Sequence, residues 1–234
     1  MEYFIGVDEA GRGPVLGDMV ISGVLVTPRV LEKLAGGGLK DSKKLKPSKR
    51  RSLYYEALKQ GAVVVAVFVP PWRIDRENLN DIEERYIVWA LSIMGLLLGR
   101  DGYRVHVHVD EVKGRGHAMV SKARGYFKGT VVEFKVERGA DSKYSSVMLA
   151  SVFAKVMRDL NLLGLKKRFG DFGSGYPVDP VTKKWILENR GLYATPPLFV
   201  RRSWSVLKST APNWYKKKTP PRQKTLLDFL GRGV

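Results

Sequence analysis

A chain of 234 residues with 44% apolar content can bury a substantial core, and 41 Lys and Arg against 23 acids leave it at +18. That excess favours a polyanionic partner such as nucleic acid. The absence of cysteine excludes disulfides and thiolate metal sites, and the longest apolar run, residues 86–98, is too short to span a bilayer. A signal peptide is not expected ahead of the first strand, so the expectation is a cytoplasmic protein with no membrane partner. Five Asn and two Gln in the whole chain suit a heat-adapted source.

In chain order, residues 3–7 read as a short apolar strand that delivers Asp8 and Glu9, followed at once by Gly11-Arg12-Gly13-Pro14. Residues 19–26 and 62–69 read as further strands, the second as the near-continuous valine run of a buried strand. Pro47 opens a helix over "SKRRSLYYEALKQG", which Gly61 ends. Asn80 and Glu83 have the spacing of a capping box ahead of "IEERYIVWALSIMGLLLG". Residues 103–109 and 131–136 are two more strands with a helix-sized segment between them. A long helical stretch then covers about 142–169. From 173 the chain turns to loops and short helices, and 216–224 is a basic, proline-containing linker. No internal repeat is present. The pattern predicts an α/β layered fold with a mixed sheet over 1–172, a helical and loop appendage over 173–212, and a basic tail over 213–234.

The acids fall at element ends. Asp8 and Glu9 close the first strand, and Asp110 closes "YRVHVHVD", where three valines alternate with His106, His108 and Asp110. Asp141 stands at or just before a helix start. Any one acid at such a start is ordinarily a cap. Several carboxylates converging on one point, however, stay ionised only if cations neutralise them. Hard oxygen donors suit Mg²⁺ or Mn²⁺, and a pair of such ions is a known device for phosphodiester cleavage. Gly11 and Gly13 lack Cβ atoms, so a ligand can approach their backbone closely while Arg12 reaches a phosphate or ribose. A Gly-Arg-Gly run alone is usually a turn; beside two acids it is more pointed.

The blocks "GVDEAGRGPVLG", "LKDSKKL", "VHVDEV", "ADSKYSSVMLASVFAKVMRD" and "DFGSGYPVDP" together resemble ribonuclease HII, in particular its archaeal form, over residues 4–208. The resemblance implies an RNase H-like sheet flanked by helices, with Asp8, Glu9, Asp110 and Asp141 as catalytic, metal-binding acids. It implies that Gly11, Arg12 and Gly13 read the ribose 2′-hydroxyl, the group that separates RNA from DNA. It also implies that Tyr176 in "GSGYP" stacks at an RNA–DNA junction. One departure is Glu111, directly after Asp110, where the family commonly has a small residue; the shared face with His106 and His108 favours Asp110.

Lys43, Lys44, Lys143 and Lys155 are candidate phosphate contacts, against the ordinary role of a solvated basic face. His106 and His108 have metal-ligand spacing, but no third His or Cys completes a zinc set with them, which favours a structural role. Trp185, Trp204 and Trp214 have base-stacking chemistry, with core packing the default. In "QKTLLDFL", Gln223, Leu226, Phe229 and Leu230 resemble the short motif by which replication and repair proteins bind a sliding clamp; an amphipathic helix packed on its own body is the plain alternative. The expected protein is a monomeric endoribonuclease that uses two divalent cations, Mg²⁺ or Mn²⁺. It would cut the RNA strand of RNA–DNA hybrids and the 5′ side of ribonucleotides in duplex DNA, leaving 5′-phosphate and 3′-hydroxyl ends. A related-fold DNA nuclease or resolvase would have no use for a ribose-reading loop, and a non-catalytic nucleic-acid-binding protein would not need acids at strand ends.

Overall fold

The computed structural model describes residues 1–36, 39, 45–99 and 102–218. Five strands form one mixed sheet: β1 (Glu2–Ala10), β2 (Met19–Val26), β3 (Val63–Val69), β4 (Arg104–Asp110) and β5 (Thr130–Glu137), in the order β3-β2-β1-β4-β5. β1, β2 and β3 make an antiparallel meander, whereas β4 and β5 run parallel to β1 and to each other. The described helices are α1 (Pro28–Gly36), α2 (Pro47–Lys59), α3 (Pro71–Ile74), α4 (Leu79–Leu98), α5 (Gly116–Ala123), α6 (Ser145–Phe169), α7 (Pro180–Asn189) and α8 (Leu207–Thr210). This is the mixed, helix-flanked sheet that the strand and helix pattern predicts. Among the described residues no helix is long and apolar enough to cross a membrane.

Strand alternation divides the core. Ile5 and Val7 of β1, with Met19, Ile21, Val105, Val107 and Val109, pack against Ile87, Leu91 and Met94 of α4 and Met119 of α5. On the opposite face Val24 and Val26 meet Leu149, Val152 and Phe153 of α6, together with Leu34 of α1 and Leu53 of α2. Gly6 sits where α6 crosses β1. A Cβ there would lie 2.1 Å from the backbone of Ser146, so only glycine lets the start of the helix reach the strand. A third cluster joins Val15 and Leu16, on the loop after β1, to Leu162, Phe172, Trp185, Phe199 and Trp214.

Several local expectations change. β3 pairs only with β2 and is an edge strand, with Val63 and Phe68 exposed, rather than a strand buried on both faces. Val65, Val67 and Val69 pack into the first of these clusters and Val64 against the second. The N-cap of α4 is Asn78, whose side chain accepts from the Asn80 amide at 2.9 Å, so Asn80 and Glu83 form no capping box. Glu83 turns inward instead. α1 is additional to the predicted elements. Trp214 is fully buried and Lys218 donates to the Ile74 carbonyl at 2.7 Å, so the packed body continues past 213, where the tail is predicted to begin.

Candidate active site

Parallel pairing sets Val7 of β1 beside Val109 of β4, so the carboxyl ends of the two strands finish side by side. The next residues are Asp8 and Asp110. Together with Glu9 they bring one carboxylate oxygen each to within 4.8 Å of one another. Asp8 is buried, and its Oδ1 accepts from the Glu9 amide at 2.8 Å. Burial, then the neighbouring Glu9, pushes its carboxyl well above the usual range, partly offset by the Ser151 hydroxyl of α6. Burial, followed by Glu83, raises Glu9 to about 7, against the pull of Arg12. Three hard oxygen donors held this close, two of them pushed toward protonation, fit a hard divalent cation and not a soft metal.

Asp141 lies in a 3-10 turn, Ala140–Ser142, just ahead of α6. It is not among the acids within that 4.8 Å group. Its turn is nonetheless tied to the site, because the Ala140 amide donates to Asp110 Oδ1 at 2.9 Å. Glu111 is not in the group either; its Oε1 lies 3.4 Å from where a Cβ on Gly116 would stand, facing the start of α5.

An open cleft of about 430 Å³, on the scale of small-ligand pockets, borders the acids. Glu9, Ala10 and Gly11 to Gly13 line one side; Arg50, Lys155, Arg158, Asp159 and Tyr176 line the rest. Gly11 has φ of +91°, and a Cβ there would sit 2.8 Å from the Arg158 side chain, so glycine is required twice over. The Tyr176 ring is 3.4 Å from where a Gly13 Cβ would stand. The Arg158 guanidinium covers the Tyr176 ring at 5.3 Å and donates to the Ser174 carbonyl at 2.9 Å. Arg12 pairs with the fully buried Glu83 and donates to Asn80 Oδ1 at 3.1 Å. Burial also raises Glu83 to about 7, against Arg12.

Other predicted residues separate by role. Lys155 donates to Ser151 at 2.8 Å on the cleft wall, while Lys143 donates to Glu137 at 2.6 Å, outside the cleft lining. His108 contacts Glu133 at 2.9 Å and Ser146 at 3.0 Å, and His106 contacts Glu2 and Glu133, so both histidines knit β4 to its neighbours. Trp185 and Trp214 are core. Trp204 donates its indole N–H to the Gly13 carbonyl at 2.8 Å. Lys43, Lys44, Gln223, Leu226, Phe229 and Leu230 lie outside the described residues. Sequence reasoning missed Glu83, Arg50, Arg158 and Arg201, charged residues whose inward direction no local pattern reveals.

Fold and site together define a class: an RNase H-like α/β hydrolase with a carboxylate-rich strand end beside a basic cleft. The ribonuclease HII family matches residues 5–207, and the chain belongs to that family of hydrolytic ribonuclease H-type endonucleases. The ribonuclease HII of Hyperthermus butylicus is 43% identical over 97% of this chain and 95% of its own length. The crystal structure of ribonuclease H2 from Pyrococcus horikoshii superposes with a TM-score of 0.75 at 32% identity, covering 91% of this chain and 98% of that one. RNase HII in its complex with PCNA from Archaeoglobus fulgidus superposes with a TM-score of 0.71 at 30% identity, covering 97% and 100%.

Proposed function

We propose that the chain hydrolyses the RNA strand of RNA–DNA hybrids and cuts 5′ of ribonucleotides embedded in duplex DNA, leaving 5′-phosphate and 3′-hydroxyl ends. One observation carries this reading: the Asp8, Glu9 and Asp110 carboxylates converge beside a cleft whose rim is the Gly11–Gly13 loop, Tyr176 and three cations. Those acids, with Asp141 as the fourth, hold two divalent cations, Mg²⁺ or Mn²⁺. Such a pair supplies an activated water and stabilises the leaving oxygen.

The protein's own groups do the rest. Arg50, Lys155 and Arg158 meet the phosphates flanking the cut, giving sequence-independent affinity. The 11–13 loop senses the ribose hydroxyl, and Tyr176, braced by Arg158, stacks where ribose gives way to deoxyribose. Lys143 and Lys43 add further phosphate contacts. The basic residues after 215 lead to Gln223, Leu226, Phe229 and Leu230, which dock on a sliding clamp. Support for that partner comes from the relative whose structure was solved in complex with PCNA.

The decisive assay pairs a duplex carrying one ribonucleotide with its all-DNA twin, with and without Mg²⁺. Cleavage confined to the ribonucleotide duplex in Mg²⁺ is expected. Cutting of both duplexes, or of neither, overturns the substrate assignment.

A further inference from the structure

Residues 199–204 run alongside the loop that follows β1. The Gly17 amide donates to the Phe199 carbonyl and the Arg201 amide to the Val15 carbonyl, each at 2.8 Å. Within that frame the Arg201 side chain is completely buried. Its guanidinium donates to three carbonyls of a single loop: Gly11 at 2.7 Å, Arg12 at 2.9 Å and Gly17 at 3.0 Å. It lies 5.1 Å over the Trp204 ring, whose own N–H takes the Gly13 carbonyl. Burial lowers Arg201 to about 9, so the protein keeps a cation where cations are disfavoured. Simple packing would be served as well by an apolar side chain.

Peptide geometry gives that cation a use. In a trans peptide the C=O and N–H point in opposite directions, and no peptide here is cis. The Gly11 carbonyl shares its unit with the Arg12 amide, and the Arg12 carbonyl with the Gly13 amide. Drawing both carbonyls onto Arg201 therefore turns both amides away from it. Among the described residues neither amide has a hydrogen-bond acceptor. The next unit, tied down by Trp204, adds no donor because Pro14 has no N–H.

We infer that Arg201 and Trp204 are positioning residues for sugar selection: they hold the Gly11, Arg12 and Gly13 carbonyls inward so that the Arg12 and Gly13 amides face the cleft, where they donate to a ribose hydroxyl oxygen that deoxyribose lacks. This rests on the reading of residues 11–13 as the ribose-sensing loop. Successive amides aimed at one point form an oxygen-binding concavity, and a rigid one discriminates better than a mobile one.

The test measures affinity, without divalent metal, for a duplex containing one ribonucleotide and for its all-DNA twin, in the full-length protein. Arg201→Lys keeps the charge but loses the planar fork, and Trp204→Phe removes only the indole donor from a partly exposed ring. Each is expected to lower the ribonucleotide preference by about three-fold or more, the worth of one net hydrogen bond, with affinity for the all-DNA twin unchanged. A merely structural role would weaken both duplexes together, in step with a lower melting temperature. Gly13→Val, run in parallel, tests the loop itself and is expected to abolish the preference. Should Gly13→Val keep it, the loop reading fails. Should Gly13→Val lose it while Trp204→Phe, or a folded Arg201→Lys, retains the wild-type preference, the role of Arg201 and Trp204 is overturned.

Discussion

Asp8, Glu9 and Glu83 carry protons in the metal-free fold that the unfolded chain would already have released. Glu9 and Glu83 stand at about 7 against an ordinary 4.5, and Asp8 is displaced in the same direction. The folded state thus binds more protons between about 4.5 and 7, and these groups withdraw stability as pH rises through that window. A cation takes the protons' place, so its stabilising effect grows with pH. The rise in melting temperature on adding Mg²⁺ to EDTA-treated protein is expected to be larger at pH 8 than at pH 5.5, each 1 kcal/mol being worth about 2–4 °C in a chain of this size. Taking the difference at each pH cancels the opposite trend from His108, which burial shifts below its usual value. Equal rises at both pH values would remove Asp8 and Glu9 from the cation site. Asp110 and Glu111 offer a sharper comparison, since they are adjacent yet point to different places. Asp110→Asn is expected to reduce cleavage by orders of magnitude, while Glu111→Ala stays within about three-fold of wild type, as for a residue outside the site. Reversed effects would exchange their assignments.

At the scale of elements, the site depends on how closely α6 approaches β1. The contact at Gly6 sets that approach, and the turn with Ala140 and Asp141 rides on the same helix start. Gly6→Ala is therefore expected to destabilise by about 1–3 kcal/mol through overpacking. It should also lower single-turnover cleavage per folded molecule, because the turn that anchors Asp110 moves with α6. Urea unfolding and active-site-normalised rates separate the two; wild-type values in both would show that the sheet yields without cost. Much of this arrangement is legible in sequence. Alternation of valine with polar residues in "YRVHVHVD" places Asp110 on a strand end, and the apolar run before Asp8 does the same for its partner. Asn80 and Glu83 show where legibility stops: their spacing matches a cap, yet Glu83 answers to Arg12, 71 positions away in sequence. The β3 run reads as fully buried because its composition reports hydrophobicity, not its place at the sheet edge. Arg158 and Arg201 look like ordinary surface cations until the third core cluster folds over the loop after β1.

For the whole molecule, the proposed function would have the +18 charge and the cleft cations make binding strong but largely blind to sequence, and would leave selection to a few neutral groups around Gly11–Gly13 and Tyr176. Recruitment to replicating DNA would then need a second address. Gln223, Leu226, Phe229 and Leu230 lie beyond Lys218, the last described residue. The three apolar side chains fall at spacings that share one side of a single helical turn, the arrangement by which a short peptide fills a hydrophobic pocket. Deleting 219–234 is accordingly expected to leave cleavage of a short ribonucleotide-containing duplex within about two-fold of wild type and the melting temperature within about 2 °C. Binding to the sliding clamp of the source organism, measured by titration calorimetry, is expected to vanish. The triple change Leu226→Ala, Phe229→Ala and Leu230→Ala should reproduce that loss in the full-length chain, which separates the apolar motif from the basic residues around it. A truncated protein that still binds the clamp would place docking elsewhere, and one that melts at a markedly lower temperature would make the segment part of the protein's own packing.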